Sequence, residues 1–422
     1  MLELAMWQSN TNMSSVVGKL LCGIFVALLA SACSTFEYHE TKSVKIARVD
    51  EAQEQLIDES TLLDVGIVLF HPGEVDLDAD DLAYSSVRQS ESVWFTSQLK
   101  ETLEQSNAWG IVRALPKRTL PMDVIVTGKL IESNGEFVKI KVKAEDSSGR
   151  VWLDQAFEQQ ASSYAYHPEI DLPGDPFQAT FSEIANALFN YQASLSADEL
   201  RQIRTITKVL FARDFVPDAF SEYLAETDDG RISLLRVPAN SDPMMQRVER
   251  VRARNDLFVD VIQDYYRTFN RQMEGPYQEW RKLSYKQVLY ARQLDAQARK
   301  QKAASVLAIA GGVLAAVEGD RGTTRFAGHM GIFAGANLFR LSLLKSDEAL
   351  SHSDALRELG ESLESQLAPS IVDLQDRSVT LTGTVEDQFG EWRRILGEMF
   401  ILEEGALSET VNDASGVNQE DD

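Results

Sequence analysis

Val138-Lys139-Ile140-Lys141-Val142-Lys143 alternates apolar and charged side chains one by one. A period of two puts one set in a core and the other in water, so the stretch predicts a half-buried β-strand. Asp146-Ser147-Ser148-Gly149 supplies turn residues, and Val151–Glu158 returns as the second arm of a hairpin. Upstream, Asp123–Glu132 and the short run Gly110–Leu115 read as further strands. Phe95, Leu99, Thr102 and Leu103 fall at helical spacing, so residues 86–105 predict an amphipathic helix. Leu63–Phe70 is a continuous apolar run ended by His71-Pro72-Gly73, as expected of a buried strand. Residues 61–165 therefore predict an α/β domain with a mixed or antiparallel sheet.

The order strand, helix, strand and then a strand meander resembles the periplasmic α/β domains of the TolB amino-terminal, CsgG and LpoB type. The stretch Asp123-Val124-Ile125-Val126-Thr127-Gly128-Lys129-Leu130 matches their strand entering the hairpin, and Ala144–Arg150 their turn. The resemblance covers about a quarter of the chain and rests on topology.

Residues 166–302 predict a long helical region. Asp175-Pro176 and Asp242-Pro243 each read as an N-cap followed by proline in the first turn. Ser196-Ala197-Asp198-Glu199 is a capping box. Phe177, Phe181, Ile184 and Leu188 form one apolar stripe, and Val251, Phe258, Ile262, Tyr265 and Phe269 another. Gly275-Pro276 reads as a break, with Leu283, Tyr290, Ala291, Leu294 and Ala298 marking a second long helix and hence an antiparallel helical pair.

Composition shifts at residues 303–345, which are rich in Ala and Gly. Ala304, Ala308, Gly312 and Ala316 recur every four residues, as do Ala327, Gly331 and Gly335. Small residues at that spacing let helix backbones approach closely, so the segment reads as a helical hairpin packed on itself. An oligomer seam and membrane insertion are the alternatives. Insertion is disfavoured because Ala303–Val317 gives about 22 Å of helix against a ~30 Å hydrocarbon core. Residues 346–403 predict a small α+β module: a helix over 348–367, strands at Ser370–Leu374 and through Val379, Leu381 and Val385, and a helix over Gln388–Glu403. Its Ser378–Gln388 run resembles BON-type modules, which implies phospholipid contact. Residues 404–422 hold six acids and no base and read as a disordered acidic tail. The whole is an α+β chain.

Residues 19–33 carry the address. Lys19 precedes the apolar run Leu20–Leu29, then Ala30-Ser31-Ala32 and Cys33. The run is too short for a membrane span and has the form of a secretory signal over residues 1–32, with Met13 a better start than Met1. Cys33 after small residues resembles the lipobox of bacterial lipoproteins, although Ala30 stands where that family prefers Leu. Ordinary secretion is the alternative, since Ala30-Ser31-Ala32 is also a signal-peptidase site. The resemblance implies palmitate-type acyl chains on Cys33, and Ser34 after it implies an outer-membrane address on the periplasmic face. Residues 33–60 then read as a lipidated tether, with a short helix near Val49–Ile57. Cys22 lies in the discarded segment, so no thiol remains to staple a fold.

The chain has 422 residues, with 41 basic against 65 acidic side chains and a net charge of −24. That balance disfavours nucleic acid, whose binders need a basic footprint. His39, His71, His167, His329 and His352 show no zinc spacing, and no nucleophile elbow or Walker loop occurs. Gly319–Thr324 lacks the Gly-Lys-Ser/Thr core of a phosphate loop. Asp76, Asp78, Asp80 and Asp81 miss the EF-hand glycine and glutamate, where Asp81 and Val87 stand, and read as a solvated loop. No metal or cofactor is expected. Arg247, Arg250, Arg252 and Arg254 form a basic island that reads as a solvated face pairing with Glu249 and Asp256, or as a contact for anions or a partner. The functional expectation is a non-enzymatic lipoprotein held to the membrane by its anchor. It would serve as scaffold or accessory subunit among protein partners of the cell envelope, with homo-oligomerisation open. A phospholipid-contacting maintenance factor and an unrecognised periplasmic hydrolase are the alternatives.

Overall fold

A computed structural model describes residues 43–48, 58–73, 82–118, 120–162, 164–167, 169, 174–239, 241–316, 370–374, 377–381 and 383–416. The fold is α+β. Its centre is a five-stranded mixed sheet built from β1 (Val65–Val68), β2 (Val112–Leu115), β3 (Val124–Ser133), β4 (Phe137–Asp146) and β5 (Val151–Gln160), in the order β2-β1-β3-β4-β5. β1 runs parallel to both β2 and β3, whereas β3, β4 and β5 form an antiparallel meander. Helix α1 (Leu82–Glu104) makes the crossover between β1 and β2. In β4 the alternation is realised: Val138, Ile140, Val142 and Ala144 are buried, and Lys139 and Lys141 face water and pair with Glu158 and Asp154 of β5. Gly149 turns β4 into β5 with φ +77°, a value that favours glycine.

Helices α1 and α2 (Gln178–Ala193) pack against the sheet and each other. Phe95, Leu99 and Leu103 of α1 meet Phe181, Ile184 and Leu188 of α2 in one core. Phe177 is buried as the residue before α2, so the helix begins two residues later than Asp175-Pro176 suggested. Asp175 still accepts from the Phe177 N–H at 2.8 Å, but its second oxygen is drawn to an ion pair described below. Helix α3 (Ala197–Phe215) starts at the expected capping box, in which Ser196 and Glu199 exchange hydrogen bonds. A short helix α4 (Pro217–Phe220) and a hairpin of β6 (Leu224–Glu226) and β7 (Ile232–Leu234) follow.

The segment preceding β1 is docked at two places. Asn186 on α2 bonds the backbone of Lys45 and Ala47, at 2.9 and 2.8 Å. Arg201 on α3 reaches Asp58 at 3.1 Å, and Arg204 donates to the carbonyls of Glu59 and Leu62. The expected helix near Val49–Ile57, and residues 1–42 with Cys33, lie outside the described residues.

Helix α5 (Pro243–Ala316) is 74 residues long and contains Pro276. This corrects the expected break at Gly275-Pro276 and with it the antiparallel helical pair. A proline inside a helix costs about 3 kcal/mol. Met273, Tyr277 and Trp280 are all buried on one face around it, and burying large apolar side chains contributes about 1.5–3 kcal/mol each. Tertiary packing therefore outweighs the local penalty. The start is as expected: Asp242 accepts from the N–H groups of Met244 and Met245. Ala304, Ala308, Gly312 and Ala316 belong to the last turns of this same helix, so the first arm of the Ala/Gly segment is not a separate element. Its second arm, with Ala327, Gly331 and Gly335, and the helix expected over 348–367 lie outside the described residues.

Near the carboxyl end, β8 (Ser370–Leu374) and β9 (Arg377–Leu381) form an antiparallel hairpin followed by helix α6 (Val385–Gly416). Val385 opens that helix instead of extending the strand. Thr384 and Asp387 bond reciprocally, each accepting the other's N–H at 3.1 Å, and this capping exchange starts the helix at once. α6 also continues through residues 404–416, which the composition assigned to a disordered tail. A helix already nucleated adds residues without paying the nucleation cost again, which carries α6 past the end of the apolar pattern. α6 packs on α5, with Trp392 stacked on Phe258 at 5.2 Å between ring centroids. Among the described residues no helix is long and apolar enough to cross a membrane.

Candidate functional site

The same tripeptide pattern opens two neighbouring strands: Leu63-Asp64-Val65 before β1 and Met122-Asp123-Val124 before β3. Because β1 and β3 run parallel with Val65 beside Val124, the pattern brings two carboxylates together at the amino-terminal edge of the sheet. The Asp64 N–H donates to Asp123 Oδ2 at 2.9 Å, and the Ile111 N–H donates to Asp64 Oδ1 at 2.8 Å. Helix α3 closes one side with Arg204, Lys208 and Phe211, and the first turns of α5 close the other with Met245, Val248, Arg252 and Asp256. The result is a cleft of about 220 Å³.

Its charges are tightly organised. Asp123 is 1% exposed, and burial pushes its carboxyl above the ordinary range, with the neighbouring Asp64 carboxylate adding to the effect. The Asp64 N–H, the Thr207 hydroxyl and Arg204, whose Nε lies 3.7 Å away, act in the opposite direction. Burial likewise raises Asp256, against the pull of Arg113 at 3.6 Å. Glu249 meets Lys208 at 3.9 Å. A cleft that alternates Asp64, Asp256 and Glu249 with Arg204, Lys208 and Arg252 suits a polar ligand or peptide segment carrying both signs of charge. Its lining side chains are carboxylates, cations and apolar groups. Among the described residues no cluster of three or more His, Cys, Asp or Glu could hold a metal ion.

A second polar group fixes α5 to the sheet and α1. Arg281 is fully buried and donates through Nη1 to Asp175 Oδ2 at 2.6 Å, where the Trp94 indole N–H also donates. The guanidinium lies over Tyr277, 4.1 Å from the ring centroid, and near Phe177 and Phe95. Tyr277 donates to Glu91 Oε1 at 2.8 Å and Ser133 donates to the same oxygen at 2.6 Å. Burial drives the Tyr277 hydroxyl well above its ordinary pKa, so it stays a donor at every physiological pH. Gly135, in the turn between β3 and β4, lets the hairpin touch α5 directly. A Cβ there would sit 2.0 Å from the Arg281 carbonyl.

The sequence-predicted arginines do not form one patch. Arg247 packs over the Phe400 ring of α6 at 5.2 Å, and Arg252 faces the cleft near Phe211 at 5.9 Å. Arg250 is exposed on the opposite side of the helix, and Arg254 is half-buried. Of the expected acidic partners, Glu249 meets Lys208, and Asp256 feels Arg252 as well as Arg113. His71 and His167 are turn residues, each accepting through Nδ1 from a backbone N–H two residues on. The Asp76–Asp81 acids and Gly319–Thr324 lie outside the described residues. The cleft residues Asp64, Asp123, Arg204 and Lys208 were missed, although the repeated Leu/Met-Asp-Val pattern was a readable signal.

No family model and no curated protein matches the chain. Among solved structures, the PelC dodecamer from Paraburkholderia phytofirmans is 19% identical over 32% of this chain and 91% of that one, with a TM-score of 0.21. A point variant of the same PelC dodecamer is 16% identical over 36% of this chain and 95% of that one, with a TM-score of 0.20. Likeness at that level says nothing about what this chain does or how it assembles.

Proposed function

We propose that the chain is a lipid-anchored scaffold of the bacterial outer membrane, facing the periplasm, that serves an envelope assembly or export system without catalysing a reaction. The anchor is Cys33, reached through the signal-like residues 19–32. The observation that carries the scaffold reading is α5. Its first half is clamped to the α/β layer from Met245 to Tyr285, and the same helix runs on to Ala316. At 1.5 Å per residue the whole spans about 110 Å, far more than a helix needs to complete a core. A long rigid element tied to a folded body suits holding partners at fixed separation. The cleft between Asp123 and Asp256 is the place on the body where a charged segment of such a partner would sit.

Metabolic labelling with palmitate tests the anchor: the protein should be labelled, and Cys33→Ala should abolish the label and release the chain from membranes. An unlabelled chain with a free amino terminus would refute it. Crosslinking in cells tests the scaffold. Photo-crosslinkers at Lys208 and Glu249 should trap one defined envelope protein, and trapping none would sink the reading.

A further inference from the structure

The face of α5 turned away from the core carries an ordered pattern. Leu257 is 69% exposed and Val261 is 55% exposed, among the most exposed large apolar side chains described. They lie one turn apart, with exposed Ala253 one turn before Leu257. Opposite them Val251, Phe258, Ile262 and Tyr266 are buried, so the helix has used its other face for its own core. The apolar strip is therefore surplus to the fold.

Charges around the strip are arranged about Leu257. Seven residues before it stands Arg250 and seven after it stands Asp264, both exposed. At 3.6 residues per turn these positions fall within about 20° of Leu257 on the helix face. Four residues either side are Ala253 and Val261, a small side chain and a large one. The face is thus basic toward the start of the helix, apolar at the centre and acidic beyond. It matches itself when reversed: turned end for end, it places Arg250 against Asp264, Ala253 against Val261 and Leu257 against Leu257. Self-complementarity of this kind is the requirement for a two-fold contact, in which residue i meets j and j meets i.

We propose that a second copy of this chain docks on this face, the two α5 helices running antiparallel about a two-fold axis at Leu257. Ala253 admits the partner's Val261 and allows the helices to close to ordinary packing distance. The Arg250–Asp264 pairs, one at each end, set the register. Asp264 also meets Arg267 at 2.9 Å within its own helix, an exposed contact that a partner guanidinium can share. The contact is independent of the anchor at Cys33, and it touches the cleft only at Ala253, which lies on its rim.

The test uses the purified full chain in detergent at near-physiological salt, followed by sedimentation velocity over a concentration series. A dimer should form. Arg250→Asp, which sets two acids against each other at both ends, should weaken it at least tenfold. Adding Asp264→Arg in the same chain should restore the dimer to within about threefold, because the swapped charges face each other again. A chain that stays monomeric throughout, or a double variant no better than Arg250→Asp alone, would overturn the proposal. A second measurement places the axis. With Cys22 and Cys33 replaced by Ser, Leu257→Cys should form an interchain disulfide under mild oxidation. Leu235→Cys, at 64% exposure in the loop after β7, should not. Equal crosslinking at both positions would also refute it.

Discussion

The side-chain amide of Gln263 bonds both backbone groups of Ala114: its Oε1 accepts from the Ala114 N–H and its Nε2 donates to the Ala114 carbonyl, each at 2.8 Å. Ala114 lies on β2, the edge strand of the sheet, so a residue of α5 stands where another strand would pair. Arg113 on the same strand meets Asp256 and Asp260 at 3.6 and 2.9 Å. The long helix thus closes a sheet edge that would otherwise invite pairing with another chain.

Gln263→Leu removes that closure and leaves a buried N–H and carbonyl unpaired. Unfolding in urea should show a loss of about 1–3 kcal/mol, with more aggregation at high protein concentration. A change under about half a kcal/mol would mean that water satisfies Ala114 as well as Gln263 does.

Asp175→Ala should be among the most damaging single changes. It strips the only ionic partner described for Arg281 and strands a fully buried guanidinium. Breaking one half of a buried pair costs about 3–5 kcal/mol. Arg281→Met with Asp175→Ala should recover much of it, as measured by a double-mutant cycle; strict additivity would show that the pair does not couple.

Two glycines should respond in opposite directions to alanine. At Gly135 the new Cβ would lie 2.0 Å from the Arg281 carbonyl and 2.4 Å from the Tyr285 N–H nitrogen, so backbone must move. Gly135→Ala should cost about 1–3 kcal/mol. Gly390 has nothing within 4 Å and sits inside α6, so Gly390→Ala should gain up to about 1 kcal/mol. Thermal melts of both variants decide this, and a shift of the same sign in both would contradict the close approach.

The pH dependence of Asp123 has a definite sign. Its carboxyl is raised by burial, so the folded state holds the proton more tightly than the unfolded one. Its favourable contribution is complete below the unfolded value of 3.8 and is lost as pH rises through the higher folded value. Asp123→Asn cannot ionise. Its stability relative to the parent should therefore rise between pH 3 and pH 7. A constant difference across that range would show that the carboxyl is not perturbed.

The sheet was legible because its signals are local. Alternation in Val138–Lys143, the turn at Gly149 and the capping box at Ser196–Glu199 each concern neighbours along the chain. Where reading failed, distant residues decided. Gly275-Pro276 carries a genuine local preference for a break, and only the burial of Met273, Tyr277 and Trp280 against α1 and the sheet overrides it. The capping exchange of Thr384 with Asp387 was readable, yet the apolar alternation through Val385 pointed the other way. Of the cleft, the two Leu/Met-Asp-Val tripeptides could be seen, but not that they lie side by side, which depends on parallel pairing. Asp175 and Arg281 stand 106 residues apart, and no spacing rule joins them.

Because α5 passes Pro276 without ending, the positions along it share one angular phase. A single residue removed between Ser284 and Ala316 would turn everything beyond by about 100° and draw it in by about 1.5 Å. Insertions that keep the angular position of Ala304, Ala308 and Gly312 relative to the base of the helix must come close to whole turns, and about eighteen residues, five turns, restore it fully. The helix behaves as a keyed shaft, tolerant in length but strict in rotation. Its rotation is set by the same Arg281 and Gln263 contacts that hold its base.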